Sequence, residues 1–147
     1  MKLTITINGK PIAKKRPKFF RRGNHVGTYN AQETEEGRFR VDVASQIHQP
    51  ADGFPVFKKG VPVHLECFFY FARPASHFGT GKNADMLKPS APKYHTVKPD
   101  KDNLEKFVKD CMNGIAWHDD SQVVMGYQAK FWSKSTNQTV ITIKTVD

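Results

Sequence analysis

The sequence predicts a single α+β domain spanning residues 1–147. Strand-like stretches alternate with two helical ones in the order β-β-α-β-loop-(β)-α-β-β, with no internal repeat and no linker. At 147 residues the chain has the length of one domain and can bury about two thirds of its unfolded surface. Eleven Phe, four Tyr and two Trp need a core, which argues against disorder.

Thr4 to Asn8 alternates as a strand and runs into the Asn8-Gly9 turn signal. Pro11 to Arg22 is a basic segment with Phe19 and Phe20 embedded. Gly23-Asn24 reads as a turn, after which His25 to Tyr29 returns as a short strand. From Glu33 to Gln49 the spacing of Phe39, Val43 and Ile47 is helical, and Pro50 with Asp52-Gly53 stops the helix. Val61 to Phe71 alternates and then becomes apolar on both faces, as a central strand does. Arg73 to Tyr94 loses periodicity and is rich in Pro, Gly, Ser, Lys and Asn; a loop this long is usually functional or mobile. His95 to Lys98 reads as a short strand, and Asp102 to Asn113 as a helix ended by Gly114. Ser121 to Phe131 and Gln138 to Val146 read as a closing pair of strands.

The net charge is +9, from 23 basic and 14 acidic residues, which favours an anionic partner such as nucleic acid. Its distribution is uneven. Residues 1–32 hold Lys2, Lys10, Lys14, Lys15, Arg16, Lys18, Arg21 and Arg22 and no Asp or Glu, so eight of the nine net charges lie there. No apolar stretch approaches the ~20 residues of a membrane span, and the N-terminus alternates rather than forming the apolar run of a signal peptide. Cys67 and Cys111 make neither a disulfide framework nor a zinc pairing and read as two reduced thiols of a cytoplasmic protein.

The chemistry is concentrated in Lys98-Pro99-Asp100-Lys101-Asp102-Asn103-Leu104-Glu105-Lys106 and Trp117-His118-Asp119-Asp120-Ser121-Gln122. On a helical wheel Leu104, Phe107, Val108 and Cys111 form a core stripe, and Asp102, Lys106 and Asp110 share the opposite face. Asp102 with Glu105 also fits a capping box, which needs no chemistry. The helix is about 16 Å long. Six extended residues after Gly114 reach about 20 Å, enough to run back and bring Asp119 or Asp120 near Asp100 and Asp102. Gathered carboxylates suit a hard cation such as Mg²⁺, which can activate water and stabilise a leaving oxygen, with a lysine offsetting developing charge. Asp100, Asp102, Asp120 and Lys106 have that chemistry. An EF-hand, a Walker A loop and a nucleophile elbow are all excluded by their missing residues. His95 and His118 lie near the set and read as packing or surface residues.

The two motifs, with Asp110 and Asn113-Gly114 between them and Val123-Val124 after, closely resemble the RusA family of Holliday junction resolvases. The dense match covers about residues 95–131. The resemblance implies a mixed β-sheet with two main helices and a homodimer with two active sites. It implies a Mg²⁺-dependent endonuclease, with Mn²⁺ as the alternative ion and no small-molecule cofactor. Such an enzyme makes paired nicks in four-way junctions during DNA recombination and repair. It further implies a phage or prophage origin, work in the bacterial cytoplasm and no membrane partner. By position, Asp100, Asp102 and Asp120 correspond to the metal-ligand and catalytic carboxylates and Lys106 to the catalytic lysine. Asp110 and Asp119 match recurrent acidic positions and take structural roles. Lys14, Lys15, Arg16, Lys18, Arg21 and Arg22 are then phosphate contacts on branched DNA. Phe19 and Phe20 either stack at opened bases or pack in the core. Two readings compete: a metal nuclease for flaps or forks, and a non-catalytic DNA-binding module.

Overall fold

Val63–Ala72 alternates buried and half-buried residues along its whole length, and every odd position from Val63 to Phe71 is buried. That strand (β4) is an inner member of a four-stranded sheet with Lys2–Asn8 (β1), Val123–Ser133 (β5) and Gln138–Thr145 (β6), in the order β1-β6-β4-β5. Two helices, Glu33–Gln46 (α1) and Lys101–Cys111 (α2), complete a single α+β domain. This computed structural model describes residues 1–147. The odd residues of β4 pack with Ile5, Ile7, Ile141 and Ile143 of the sheet and with the buried stripes of α1 and α2 in one core of 21 residues. No helix is long and apolar enough to cross a membrane.

The sheet is mixed. β6 pairs antiparallel with both β1 and β4, whereas β5 pairs parallel with β4. The last two strands are therefore not a hairpin, because β4 lies between them. Both are β-rich in sequence, and only the tertiary arrangement decides their neighbours. Lys18–Arg22 (β2) and His25–Tyr29 (β3) form a separate two-stranded hairpin around a Gly23 of positive φ. Phe19 is 77% exposed there, so it does not join the core, and Phe20 tilts against His25 and Tyr29.

Other boundaries move for local reasons. α1 ends at Gln46 rather than Gln49, because Ile47 turns extended while its side chain stays in the core. Residues 95–98 form no strand; only Tyr94 bridges to Phe131, and the His95 N–H donates to the Lys130 carbonyl. Within 73–94 the chain makes short 3-10 turns at Ala75–His77 and Gly81–Asn83, tied by Gly79 N–H to Met86 O and Lys88 N–H to His77 O.

The basic segment is fastened to both helices by Lys14. Its Nζ stands 3.1 Å from Glu36 and 3.3 Å from Asp110, and its N–H donates to the Asn103 carbonyl. Burial disfavours the ammonium, but the two carboxylates outweigh it and raise the Lys14 pKa. A lysine pKa raised by folding stabilises fully below the unfolded value of 10.5 and loses that contribution as pH climbs through the folded value. Lys14→Met is expected to cost about 1–2 kcal/mol at pH 7 in denaturant melts. Its gap from the native chain should close as pH rises above 10.5.

Candidate active site

Asp100 is the N-cap residue of α2, in extended conformation, and its side chain makes no cap hydrogen bond. Asp102 lies inside the first turn and does not cap, so the Asp102–Glu105 capping box is not formed. Leu104, Phe107, Val108 and Cys111 are buried, as the wheel requires, and this leaves Asp102 and Lys106 exposed on the outer side. Burial also pushes the Cys111 thiol up to about 12, and the deeper Cys67 higher still; both are inert thiols.

The segment leading into Asp100 is held by Lys130. From its place in β5 its Nζ donates to the Val97 carbonyl at 2.7 Å and the Pro99 carbonyl at 2.6 Å. Burial pulls the Lys130 pKa down, against the attraction of the nearby Asp100. Above it His95 is buried between Phe71 and Trp132, with ring centroids at 3.9 and 4.4 Å. Burial, then the Lys130 charge, lowers its pKa, so His95 is a neutral packing residue. Lys130 escaped the sequence reading; its one signal is a lone lysine inside the apolar run Ala129-Lys130-Phe131-Trp132.

At its other end α2 is tied by Arg40, which donates to the carbonyls of Cys111 at 2.6 Å and Asn113 at 2.9 Å. Gly114, at φ +83°, turns the chain, and Ile115 and Ala116 then accept hydrogen bonds from the N–H groups of Val56 and Phe57. Trp117 is fully buried and donates to Asn113 Oδ1. A short 3-10 turn, Asp120–Gln122, follows, and the capping box belongs here: Asp119 accepts from the Ser121 N–H. The bonds from Ser121 hold the Asp119 carboxyl below its usual value. Gln122 accepts from the N–H groups of His118 and Asp119 and donates to the carbonyls of Lys58 and Val61.

This route fixes Asp120 at the start of β5, while Lys130 holds Asp100 toward its end. Seven strand steps separate Val123 from Lys130, about 23 Å. No three His, Cys, Asp or Glu side chains of the chain are grouped closely enough to hold a metal ion. The reach is available, but the pairing with Val56–Phe57 directs the chain elsewhere.

The acidic residues divide sharply. Asp110 is paired with Lys14, Glu105 with Lys109, Glu35 with Lys15, and Asp119 caps its turn. Asp100, Asp102, Asp120 and Lys106 enter none of the five salt bridges. Of the basic residues, Arg16, Lys18, Arg21 and Arg22 are exposed and unpaired by acids, Lys15 faces Glu35 at 3.7 Å, and Lys14 is committed to the fold. A groove of about 700 Å³ runs beside Pro99 and is lined by Lys10, Lys15 and Arg38, with Glu35 and Asp42.

Lys130→Met is expected to free the carbonyls of Val97 and Pro99. Amide exchange over residues 95–100 should accelerate while β4 and β6 stay protected, and stability should fall by about 1–3 kcal/mol. Unchanged exchange in that segment would show that Lys130 does not hold it.

Residues 8–144 match the family model of endodeoxyribonuclease RusA. The chain is also similar to the uncharacterized protein YqaN of Bacillus subtilis (strain 168), at 29% identity over 137 residues, covering 90% of this chain and 89% of that one. With nearly its whole length matched, from the end of β1 to the end of β6, the chain belongs to the RusA family of endodeoxyribonucleases, hydrolases that act on DNA.

Proposed function

We propose that the chain is a Mg²⁺-dependent endonuclease that resolves four-way DNA junctions by paired nicks, in recombination and repair, as a homodimer. The observation that carries this reading is the unpartnered set Asp100, Asp102, Asp120 and Lys106, in a basic chain that pairs or caps with the acids around them. The donors are all oxygen and suit Mg²⁺, with Mn²⁺ as a substitute. Asp100, Asp102 and Asp120 would hold the metal, which would supply an activated water and stabilise the leaving oxygen. Lys106, one turn beyond Asp102, offsets negative charge gathering on the phosphate. Arg16, Lys18, Arg21 and Arg22 bind backbone phosphates, which gives affinity that weakens with salt. A phage or prophage protein working in its host's cytoplasm fits this activity.

The distance between Asp120 and Asp100 bears on how the site is completed. Within one chain the three carboxylates are not gathered into one metal-holding group, and a second copy can lend its Asp120. A two-fold dimer then carries two equal sites, one for each strand to be nicked.

The test uses a labelled four-way junction, forked and flapped DNA, and linear duplex, each with Mg²⁺ or EDTA. Paired nicks are expected in the junction alone, absent with EDTA. Asp102→Asn should lose roughly a hundredfold or more in cleavage while binding the junction normally. Mixing the inactive Asp100→Asn and Asp120→Asn variants should restore single nicks, because each mixed dimer holds one intact site. Cleavage indifferent to EDTA and to Asp102→Asn would sink the metal reading. Mixed dimers that form and stay inactive would place each site within one chain. Cutting of flaps or forks in preference to junctions would reassign the substrate.

A further inference from the structure

Phe19 is the most exposed aromatic side chain of the protein, and it stands on an element that packs on nothing. No residue of β2 or β3 is buried, and none joins the core. Paired residues of an antiparallel ribbon share a face. One face of the hairpin therefore holds Phe20, Gly27, Tyr29 and His25, and the other holds Phe19, Arg21, Val26 and Thr28. The first face closes on itself. The Phe20 ring lies across Gly27, where a Cβ would come within 2.6 Å of it, and tilts against His25 and Tyr29 at 5.9 and 6.4 Å. The second face stays open, with Val26 exposed beside Phe19.

The ribbon is free at its tip and fixed at its root. Buried Gln32 joins the chain entering the hairpin to the chain leaving it. Its side chain accepts from the Lys15 N–H at 2.7 Å and donates to the Ala13 carbonyl at 2.8 Å, and its own N–H donates to Asn30 Oδ1. Beside it the Lys14 N–H donates to the carbonyl of Asn103, the neighbour of Asp102. The hairpin thus springs from the first turn of α2. Phe19 follows Lys14 by five residues. It therefore lies at most about 18 Å from that turn, on the order of five nucleotide steps along a strand.

We infer that this hairpin is the element that tells a branch point from continuous duplex, with Phe19 stacking on a base face that the branch leaves open. The inference rests on branched DNA as the substrate. Nucleic acid fits the ribbon by charge: Arg16, Lys18, Arg21 and Arg22 enter no salt bridge, and no Asp or Glu occurs before Glu33. A second copy, itself +9, would bring like charge to the same place. Phosphate contacts alone would make the ribbon bind every DNA alike. The aromatic ring changes that. In continuous duplex each base is already stacked on both faces, so inserting Phe19 breaks a step. Where strands exchange, stacking is interrupted, and the ring gains a base without breaking one. Phe20 shapes the ribbon, and Phe19 reads the DNA.

The test is affinity, by fluorescence anisotropy, for a four-way junction and for linear duplex of the same sequence. It is run in EDTA, so that nothing is cut, and at one salt concentration. Phe19→Ala is expected to lose about tenfold or more in junction affinity and to bind duplex as the native chain does. Phe19→Trp should keep the native preference, since it restores a stacking face. Arg21→Gln should weaken both DNAs by a similar factor. The melting curve of Phe19→Ala should match the native one, because Phe19 packs on nothing. A 2-aminopurine base at the branch should change its fluorescence with the native chain and not with Phe19→Ala. Equal losses on junction and duplex, or no loss, would overturn the inference, and so would a native chain without junction preference. A halved molar mass for Phe19→Ala would overturn it too, by placing Phe19 between copies. Binding in EDTA is independent of cutting. A Phe19-dependent preference in a chain that cuts no DNA would defeat the proposed nuclease and leave the hairpin's role standing. Junctions bound and resolved by Phe19→Ala at native strength would do the reverse.

Discussion

Leu104, Phe107, Val108 and Cys111 are buried together against the sheet, and that stripe sets the rotation of α2 about its axis. Full burial of each large apolar side chain contributes about 1.5–3 kcal/mol, whereas a half-buried i,i+4 helix pair such as Lys109–Glu105 contributes a few tenths. The apolar stripe therefore decides which residues face outward, and the charged ones accept what is left. Asp102 and Lys106 are outward because Leu104 and Phe107 are inward. Arg40 at one end and Lys130 at the other then fix the helix along its length, since both bind main-chain carbonyls that have no other partner.

The basic character of the chain is distributed with the same economy. Lys14 sits between Glu36 and Asp110 and serves the fold, while Arg16, Lys18, Arg21 and Arg22, on and before the hairpin, have no acids to answer. Lys130 is spent on carbonyls and leaves the Asp100 carboxylate without a hydrogen bond from it. A carboxylate that is hydrogen-bonded or ion-paired must give up that partner before it can bind a cation. Asp100, Asp102 and Asp120 have nothing to give up, and Asp110 and Asp119 do.

Much of this was legible in the sequence, and the exceptions share a cause. The α2 stripe, the alternation of β1, β4 and β6, and the turn at Gly23 are local patterns, and each is where the spacing puts it. The parallel pairing of β4 with β5 is not local, since a strand's own residues do not name its neighbour. Nor was the N-cap local: both Asp100 and Asp102 suit that position, and the extended backbone falls at Asp100. The separation of Asp120 was hidden for a third reason. Chain length gives an upper bound on reach, but the path was settled by Val56 and Phe57, which lie in a stretch with no periodicity to mark it.

That separation follows from topology. β4 and β5 are parallel neighbours, so the chain between them must return from the end of one to the start of the other, and α2 makes that return. Residues just before such a helix lie by the strands' C-terminal ends, and residues just after it lie by their N-terminal ends. Asp100 and Asp102 belong to the first group and Asp120 to the second. The buried stripe of α2 holds that helix against the core and keeps its two ends apart. A single carboxylate set that draws on both groups therefore has to bring together residues from opposite ends of α2.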